Sequence, residues 1–337
     1  MCAELISDRP DEDLSSIGRA WRNPVLVAVQ ALVSISLLVW IFTGGDFRGN
    51  LSKVVFSASP GWLACGFLLA GVVQFLCLVR WRIFLRMVGM EVGWAESAGC
   101  FFAGLFFNMF LPGGAGGDFV KIGLLAARRH DPAHAALSVV MDHFAGSISM
   151  IVLGLGLMAW KYEWLVSSPQ VAGFVEAIVI YLCSLALLLA LTVALCSRRL
   201  VERLPAKWPG RAKVVELSGA YFQCAVQWRR SLVASGISLG MLAMFFLTYY
   251  LSARAYGVGL PAGEFLAIMP TVDIISGLPV SLGGFGVREG LFVILLGQLG
   301  GVPAAVAVSV SLCGYMLSAV WSLPGAVLWF LRGRRGQ

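Results

Sequence analysis

Two glycine-rich segments each place one basic residue in otherwise apolar sequence. Residues 111–124 and 278–291 both fit the pattern Leu-Pro-x3-Gly-Gly-x2-Val-[Lys/Arg]-x-Gly-Leu, and eight of their fourteen positions agree when Lys is counted with Arg. The basic residue, Lys121 or Arg288, stands four positions after the glycine pair. Proline ends the incoming helix, and the next helix begins with unpaired N–H groups that favour an anion, above all phosphate. The pattern predicts two broken helices whose cations face one phosphate-binding cavity.

Such a site would use the two cations, the paired glycines and three nearby acids. The candidate substrate-binding residues are Lys121, Arg288, Gly116, Gly117, Gly283, Gly284, Asp118, Glu289 and Asp273. Asp118 has two interpretations. It could cap a helix that begins near Phe119, or it could pair with a cation or carry a proton. Glu289 is interpreted as neutralising Arg288. Asp273 lies in an apolar run without a local partner, which favours a functional role.

Catalytic and metal chemistry find less support in the sequence. The chain contains no Gly-x-Ser-x-Gly, Walker A or His-Glu-x-x-His pattern. His130 and His134 have the i, i+4 spacing of metal ligands, but no third ligand stands in a convincing place. A lipid-modifying enzyme would need an acid–base pair facing a shared cavity, for example Asp118 with His143. We therefore expect no enzymatic activity, no catalytic residue, no metal and no cofactor.

The composition defines the environment of the site. The chain has 337 residues, of which 59% are hydrophobic and 13% are charged, whereas soluble domains contain about a quarter charged residues. A soluble domain of this size cannot bury so much apolar surface, so that class is excluded. The net charge of +7 is spread between apolar segments, which indicates contact with anionic headgroups and not with nucleic acid.

Nine apolar segments divide the chain. Six have the length of ordinary spans: 25–43, 61–79, 137–160, 174–196, 232–253 and 303–331. Three are short and are flanked or broken by proline and glycine: 97–111, 264–280 and 284–300. A helix over 97–111 would reach about 22 Å, less than the ~30 Å hydrocarbon core. We predict an all-α polytopic membrane protein with about six to eight transmembrane helices, re-entrant or broken helices, and an inverted repeat.

The predicted organisation is one membrane domain between two cytoplasmic tails. The domain covers 25–331, with broken elements near 97–124 and 264–300, and the tails are 1–24 and 332–337. The first apolar run is a full span without a cleavage site after it, so we expect it to be retained. The loop 197–230 carries eight Lys and Arg residues and helically spaced apolar residues, which favours a membrane-surface helix over a solvated connector.

The Lys and Arg distribution sets the expected orientation, with both termini cytoplasmic. The counts alternate only if 97–111 enters and leaves on the cytoplasmic side, and the second glycine-rich copy then approaches from the opposite side. Similar broken segments of opposite orientation are typical of inverted-repeat transporters. The alternative is two glycine-rich turns that align by chance. From the residues alone, the favoured function is transport of an anionic solute.

Two motifs resemble those of a known family: Asn108-x-Phe-Leu-Pro112…Gly116-Gly117-Asp118-x-x-Lys121 and Pro279-x-Ser-x-Gly283-Gly284-x-Gly286-Val287-Arg288-Glu289-Gly290. The family is the lysylphosphatidylglycerol synthase transmembrane (flippase-like) family, the membrane half of the multiple peptide resistance factor, which also has stand-alone members. The resemblance covers roughly residues 20–331. It implies lipid translocation, although Lys121 stands where relatives usually have Arg. Since the chain ends six residues after the last predicted span, synthase activity is not expected.

The sequence therefore predicts a lipid flippase-like transporter in the inner (cytoplasmic) membrane of the cell. Its substrate would be an anionic, phosphate-headgroup lipid, either phosphatidylglycerol-derived or polyprenyl- or hopanoid-related. The alternatives are a scaffold or accessory protein for envelope glycolipid synthesis and a membrane lipid-modifying enzyme. The expected partner is membrane lipid and not nucleic acid, and envelope-biosynthesis enzymes or a second copy of the chain are left open as further partners.

Overall fold

The described part of the chain is helical. The computed structural model describes residues 57–110, 116–195, 226–278 and 280–327, with a few helical residues between 32 and 39. These residues contain no strand, and the predicted all-α fold is confirmed. Most of the predicted first span 25–43, most of the loop 197–230 and both tails lie outside the described residues.

Nine helices of more than ten residues occur in the described residues: α1 (Pro60–Met87), α2 (Trp94–Phe110), α3 (Gly116–Ala126), α4 (Pro132–Trp160), α5 (Pro169–Leu195), α6 (Trp228–Ala255), α7 (Ala262–Gly277), α8 (Val287–Gly300) and α9 (Ala304–Ala319). A single turn follows α4 at Tyr162–Leu165, and 3-10 turns occupy Leu282–Gly284 and Val320–Ser322. Five helices are long and apolar enough to cross a membrane: α1, α4, α5, α6, and α9 with its continuation to Val327.

Prolines and glycines set the helix ends. Pro60, Pro132 and Pro169 are the first residues of α1, α4 and α5, where proline loses no hydrogen bond and its fixed φ suits the helix. At the end of α8, Gly301 has a φ of +61°, a left-handed conformation that favours glycine. These local signals are readable in the sequence, and the helices begin and end near them.

One helix extends well beyond its apolar run. The predicted span ended at position 79, before Arg80, but α1 continues to Met87. Arg80 forms a two-pronged contact with Asp142 of α4, with Nε–Oδ1 and Nη2–Oδ2 distances of 2.8 Å. Arg82 donates to the carbonyl of Gly93 at 2.9 Å. Arg80 therefore has an ion-pair partner and Arg82 has a backbone acceptor inside the fold, which allows the helix to continue past both residues.

The order of helices repeats along the chain. A long helix, two short helices separated by a break, and another long helix occur first as α1–α4 and again as α6–α9. The short helices have 17 and 11 residues in the first set and 16 and 14 in the second. At about 1.5 Å per residue, each is shorter than the ~30 Å hydrocarbon core. The predicted short elements are therefore present in both halves.

The described residues form two large hydrophobic cores, each with residues from more than one helix. Helices α1 and α6 pack along each other. One core surrounds Trp81 and Phe84 of α1 and includes Leu125 of α3. The other surrounds Phe246 of α6 and Phe292 of α8. In each of the five long helices at most 33% of the most apolar stretch is buried, so large apolar faces point outward, as a lipid environment requires.

Candidate functional site

The second break, between α7 and α8, depends on glycine. Gly283, Gly284 and Gly286 have φ values of +58°, +78° and +85°, which residues with a Cβ rarely adopt. A Cβ on Gly284 would also lie 2.9 Å from Nη2 of Arg288 and 2.9 Å from the carbonyl oxygen of Ser276. The glycines therefore allow both the turn and the close approach of the arginine to the backbone.

A cavity of about 280 Å³ with both polar and apolar lining lies at this break. It is formed where α1, α2, α7, α8 and α9 meet, and its polar lining comprises Gln74, Asn108, Asp273, Ser276, Ser281, Arg288, Tyr315, Ser318 and Ser322. Helix α2 also packs against the turn Leu282–Gly284. A helix of the first broken pair therefore contacts the second break, and both glycine-rich halves contribute to one space.

Arg288 has an unused hydrogen-bonding group in this cavity. Its Nη2 donates to the carbonyl of Gly283 at 3.0 Å, and its guanidinium carbon lies 4.7 Å from the ring centre of Tyr315. Its Nη1 is buried without a partner, as are the hydroxyls of Ser276 and Ser281. A buried polar group left unpaired costs about 1–3 kcal/mol. An anion in the cavity would supply the missing acceptors.

Glu289 does not neutralise Arg288, and that prediction is wrong. Glu289 is fully buried, and its carboxylate accepts from the Gly286 N–H at 2.6 Å and from the Ser311 hydroxyl at 2.8 Å. Adjacent helical residues point in different directions. Glu289 therefore caps the start of α8, and in the described part of the chain no salt bridge joins it to Arg288.

Asp273 lies where the sequence indicated a functional acid. It stands four residues before the end of α7 and lines the cavity with Arg288. Arg288 is the charged group that acts on it electrostatically. Among the described residues, no hydrogen bond or salt bridge satisfies the Asp273 carboxylate. The cavity therefore contains one cation and one acid that face the same space without being paired.

The first break holds a different arrangement, which we call the first-break cluster: Asp118, Lys121 and His143. The Asp118 carboxylate accepts from Lys121 Nζ at 2.9 Å and lies 2.7 Å from His143 Nε2. Asp118 and Lys121 are 9% and 8% exposed. Since α3 begins at Gly116, Asp118 lies within its first turn. Of the two interpretations of Asp118, the structure supports pairing with a cation.

Asn108 of α2 takes the capping role at the first break. Its side-chain oxygen accepts from the Gly117 N–H at 2.6 Å, and the same residue lines the Arg288 cavity. Close packing between α2 and α3 requires glycine here, because a Cβ on Gly104 would lie 2.7 Å from the Gly117 carbonyl oxygen. Asn108 therefore connects the first break to the cavity of the second.

The expectation that both cations face one cavity is not met. Arg288 lines the cavity but Lys121 does not. Lys121 Nζ instead lies 5.5 Å from the ring centre of Trp81 and 5.3 Å from that of Phe101. Asp118 stands one helical turn before Lys121 and binds it locally, so the cation is held within the first-break cluster.

The nine predicted site residues separate into three groups. Asp273, Gly283, Gly284 and Arg288 line the cavity. Gly116, Gly117, Asp118 and Lys121 belong to the start of α3, and Glu289 lies at the start of α8. Two further lining residues, Asn108 and Ser281, stand in the motifs but were not among the candidate site residues, and the sequence reasoning missed Gln74, Ser276, Tyr315, Ser318 and Ser322. The sequence signal for three of these residues was weak. Positions 315, 318 and 322 share one face of a helix, but that helix is mostly apolar.

The acid–base pair that an enzyme would need forms in part. Asp118 and His143 are in contact, and the His143 side chain is 64% exposed, but neither residue lines the cavity. His130 lies 3.2 Å from Glu96, and His134 bonds to Asp131. These two histidines therefore have separate carboxylate partners.

The helices and the cavity define the class of this molecule, an all-helical multi-pass membrane protein with a polar site at a broken helix. A family model described as the lysylphosphatidylglycerol synthase TM region matches residues 27–325. The chain belongs to that family, and the resemblance found in the sequence is confirmed. It is also similar to a UPF0104 membrane protein of Methanothermobacter thermautotrophicus, with 26% identity over 319 residues, which covers 86% of this chain and 88% of that protein.

Proposed function

We propose that this protein moves an anionic lipid across the membrane while the lipid phosphate occupies the cavity at Arg288. The observation that carries the proposal is the buried Nη1 of Arg288, which has no hydrogen-bond partner. The hydroxyls of Ser276 and Ser281 are also unpartnered and line the same cavity. Three donors without acceptors match the acceptor oxygens of a phosphate group.

The charge of Arg288 has no ion-pair partner among the described residues and is therefore costly inside a membrane. Arg288 is the second residue of α8, and if the break lies near the bilayer midplane its charge costs about 2.5–3.5 kcal/mol even on the permissive insertion scale. The aromatic face of Tyr315 at 4.7 Å offsets about 0.5–2 kcal/mol. A phosphate would compensate the remainder, because the planar guanidinium can bind two of its oxygens at once.

The apolar edge of the cavity favours a lipid over a free anion. Leu278 lines the cavity, and Leu278 and Val280 are 45% and 52% exposed. A cavity of about 280 Å³ has room for a headgroup, whereas acyl chains would have to lie along the apolar exterior. An amphipathic molecule satisfies both surfaces, with its phosphate at Arg288 and its chains outside.

The repeated order of helices supports alternating access. If each short pair, α2–α3 and α7–α8, returns to the side from which it enters, then α4, α5 and α6 add three crossings after α1. Helix α6 then runs opposite to α1, and the second broken pair is inverted relative to the first. Inverted repeats with broken helices at the substrate site are typical of transporters. If one further span precedes α1, the number of crossings places both termini on the same side of the membrane. This agrees with the expectation that both termini are cytoplasmic.

The test is a headgroup-accessibility assay with purified protein in phosphatidylcholine vesicles that contain trace fluorescent phosphatidylglycerol. Arg288→Lys keeps the charge but loses the planar fork, so we expect transport to fall about tenfold or more. Arg254→Lys is the matched control, since Arg254 lies in the last turn of α6 and outside the cavity. Wild-type transport by both variants would overturn the proposal and favour the scaffold function.

We infer that the protein is a transporter and not an enzyme. The Asp118–His143 contact at 2.7 Å is the observation that favours lipid modification instead. Mass spectrometry of the vesicle lipids before and after incubation separates the two functions. We expect unchanged lipid masses, and a new lipid species that disappears with His143→Ala would establish the enzymatic alternative.

A further inference from the structure

The Arg288 cavity contains an acid that phosphate binding alone does not explain. Asp273 lines the cavity together with Arg288, and Arg288 is the charged group that acts on it. Among the described residues no salt bridge joins the two side chains. An ionised carboxylate in this space would reduce the attraction of the cavity for an anion, because it cancels the charge of Arg288.

Among the groups around Asp273, Arg288 is the cation that acts on it. Helix α8 brings Arg288 and Glu289, and the Glu289 carboxylate is held by Gly286 and Ser311. Helices α6 and α9 bring the hydroxyls of Tyr249 and Tyr315, and Tyr249 interacts electrostatically with both Arg288 and Asp273. Helices α4 and α5 also pack against α7, but they contribute no described residue to the cavity lining.

A cavity with one cation and one acid has two charge states. With Asp273 ionised the pair is neutral, and with Asp273 protonated the net charge is +1, which a singly charged phosphodiester would balance. The empty cavity with Asp273 ionised and the anion-bound cavity with Asp273 protonated both avoid a net charge at membrane depth, where such a charge is costly. Proton binding and anion binding at this site should therefore strengthen each other, because linkage between two ligands is reciprocal.

We propose that Asp273 takes up a proton when an anionic headgroup binds Arg288, so that one proton accompanies each singly charged lipid phosphate. This inference rests on the proposed function of the cavity. An O–H bond forms on the Asp273 carboxylate with a proton from water on one side of the membrane and breaks on the other side. The transported pair carries no net charge, and the step needs no further reactant.

The position of Asp273 suits such a step. Pro270 lies inside α7, three residues earlier, and it removes a backbone hydrogen bond from the helix interior. Helix α7 ends at Gly277, directly before the break. Asp273 therefore lies between a weakened turn and an open end, on a segment that can rearrange without disrupting a long helix.

The test uses full-length protein in phosphatidylcholine vesicles that contain fluorescent phosphatidylglycerol, with an imposed pH gradient or an imposed electrical potential. Wild-type protein should shift the ratio of labelled lipid between the leaflets by about tenfold per pH unit. An electrical potential should have no effect. Asp273→Asn should reverse this behaviour, since the anion would move without a proton and would follow the potential.

Two further variants keep the test decisive. Asp273→Glu retains a titratable carboxylate and should keep the response to the pH gradient. Glu264→Gln removes a carboxylate from the first turn of the same helix, where Glu264 lies 3.8 Å from Lys161 and outside the cavity, and it should behave as wild type. Thermal unfolding of each purified variant identifies a loss caused by misfolding.

The outcomes distinguish this inference from the proposed function. If wild-type transport requires Arg288 but ignores the pH gradient, or if Asp273→Asn responds as wild type does, the proton coupling is wrong and the transporter stands. If Asp273→Asn is folded but inactive while Asp273→Glu keeps the response, the coupling is supported. If no variant changes lipid movement, including Arg288→Lys, the proposed function itself fails.

Discussion

The two glycine-rich breaks share one sequence pattern but treat their cations in opposite ways. Lys121 in the first break is 2.9 Å from the Asp118 carboxylate, whereas Nη1 of Arg288 in the second is buried without a partner. The position equivalent to Asp118 is Phe285, whose ring packs 4.9 Å from Tyr315. The acid at this position pairs with the cation of the first break, whereas the aromatic residue at the same position of the second break provides no carboxylate for Arg288.

The backbone differs between the breaks for a related reason. Helix α3 begins at Gly116, at the glycine pair, whereas α8 begins at Val287, after its pair. Gly286 has a φ of +85°, and the equivalent residue in the first break is Phe119, which disfavours that conformation. The second break therefore stays unwound for longer, and this unwound backbone borders the cavity. A shared motif supplies two breaks, and among the described residues, which omit 111–115 of the first break, the cavity lies at the second.

The largest effect should come from breaking the closed pair. Asp118→Asn leaves Lys121 charged and buried, and loss of one partner of a buried ion pair costs about 3–5 kcal/mol. The free energy of unfolding in detergent measures this loss. His143→Gln is the control, because its side chain is 64% exposed and should change stability by less than about 1 kcal/mol. A loss of less than about 1 kcal/mol in Asp118→Asn would show that the Asp118–Lys121 pair does not stabilise the fold.

A smaller effect should come from the glycines of the open break. Gly284→Ala places a Cβ at a φ of +78° and 2.9 Å from the Ser276 carbonyl oxygen, so we expect a loss of about 1–3 kcal/mol. Gly123→Ala and Gly290→Ala add a Cβ that meets nothing within 4 Å. In these helical positions alanine should stabilise by about 0.5–1 kcal/mol. Equal effects on unfolding in all three variants would contradict the role of positive φ.

The starts of α4 and α9 allow a third comparison. Asp131 caps α4 by accepting from the Ala133 N–H at 2.9 Å, whereas α9 begins after Pro303 without a side-chain cap bond. Asp131→Ala should cost about 1 kcal/mol.

The Asp131 cap should also respond to pH. Burial raises the pKa of Asp131, but the hydrogen bonds from His134 and Ala133 outweigh burial and hold the pKa below its usual 3.8. The stabilisation is therefore fully present above the ordinary pKa and is lost as the pH falls through the lowered one. Unfolding of wild type and Asp131→Ala should converge below about pH 4. A difference that persists unchanged at pH 2 would contradict this cap, and Pro303→Ala should show no such convergence.

The smallest effect on stability should come from the open cation. Arg288→Met removes a charge that has no ion-pair partner in the described residues, so we expect the free energy of unfolding to stay within about 1 kcal/mol or to rise. Transport should nevertheless be lost. Arg80→Met is the contrasting variant, because it leaves Asp142 without its two-pronged partner and should cost about 3–5 kcal/mol. Similar losses of unfolding free energy in both variants would show that the unpaired Arg288 and the paired Arg80 contribute alike to stability.

The sequence by itself determined the approximate positions of the helices and the places where they break, although α1 extends beyond its apolar run. Apolar runs report burial in lipid directly, and proline and glycine act on the backbone of their own neighbourhood. The short elements near 97–124 and 264–300 were predictable for this reason, as were Gly283 and Gly284 at the second break. The same motifs indicated the family. They are short stretches of consecutive residues, so they can be read without the tertiary structure.

Only the tertiary structure decided which charges meet. Arg80 pairs with Asp142, 62 positions away, and Glu289 accepts from Ser311 of another helix. Tyr315, Ser318 and Ser322 became site residues because α9 packs against α8. Electrostatic and hydrogen-bonding partners depend on distances between side chains that are remote in sequence, and helix packing sets those distances. The motif therefore predicted two equivalent cations. Lys121 is paired within its own helix by Asp118, whereas the packing around Arg288 leaves its Nη1 available.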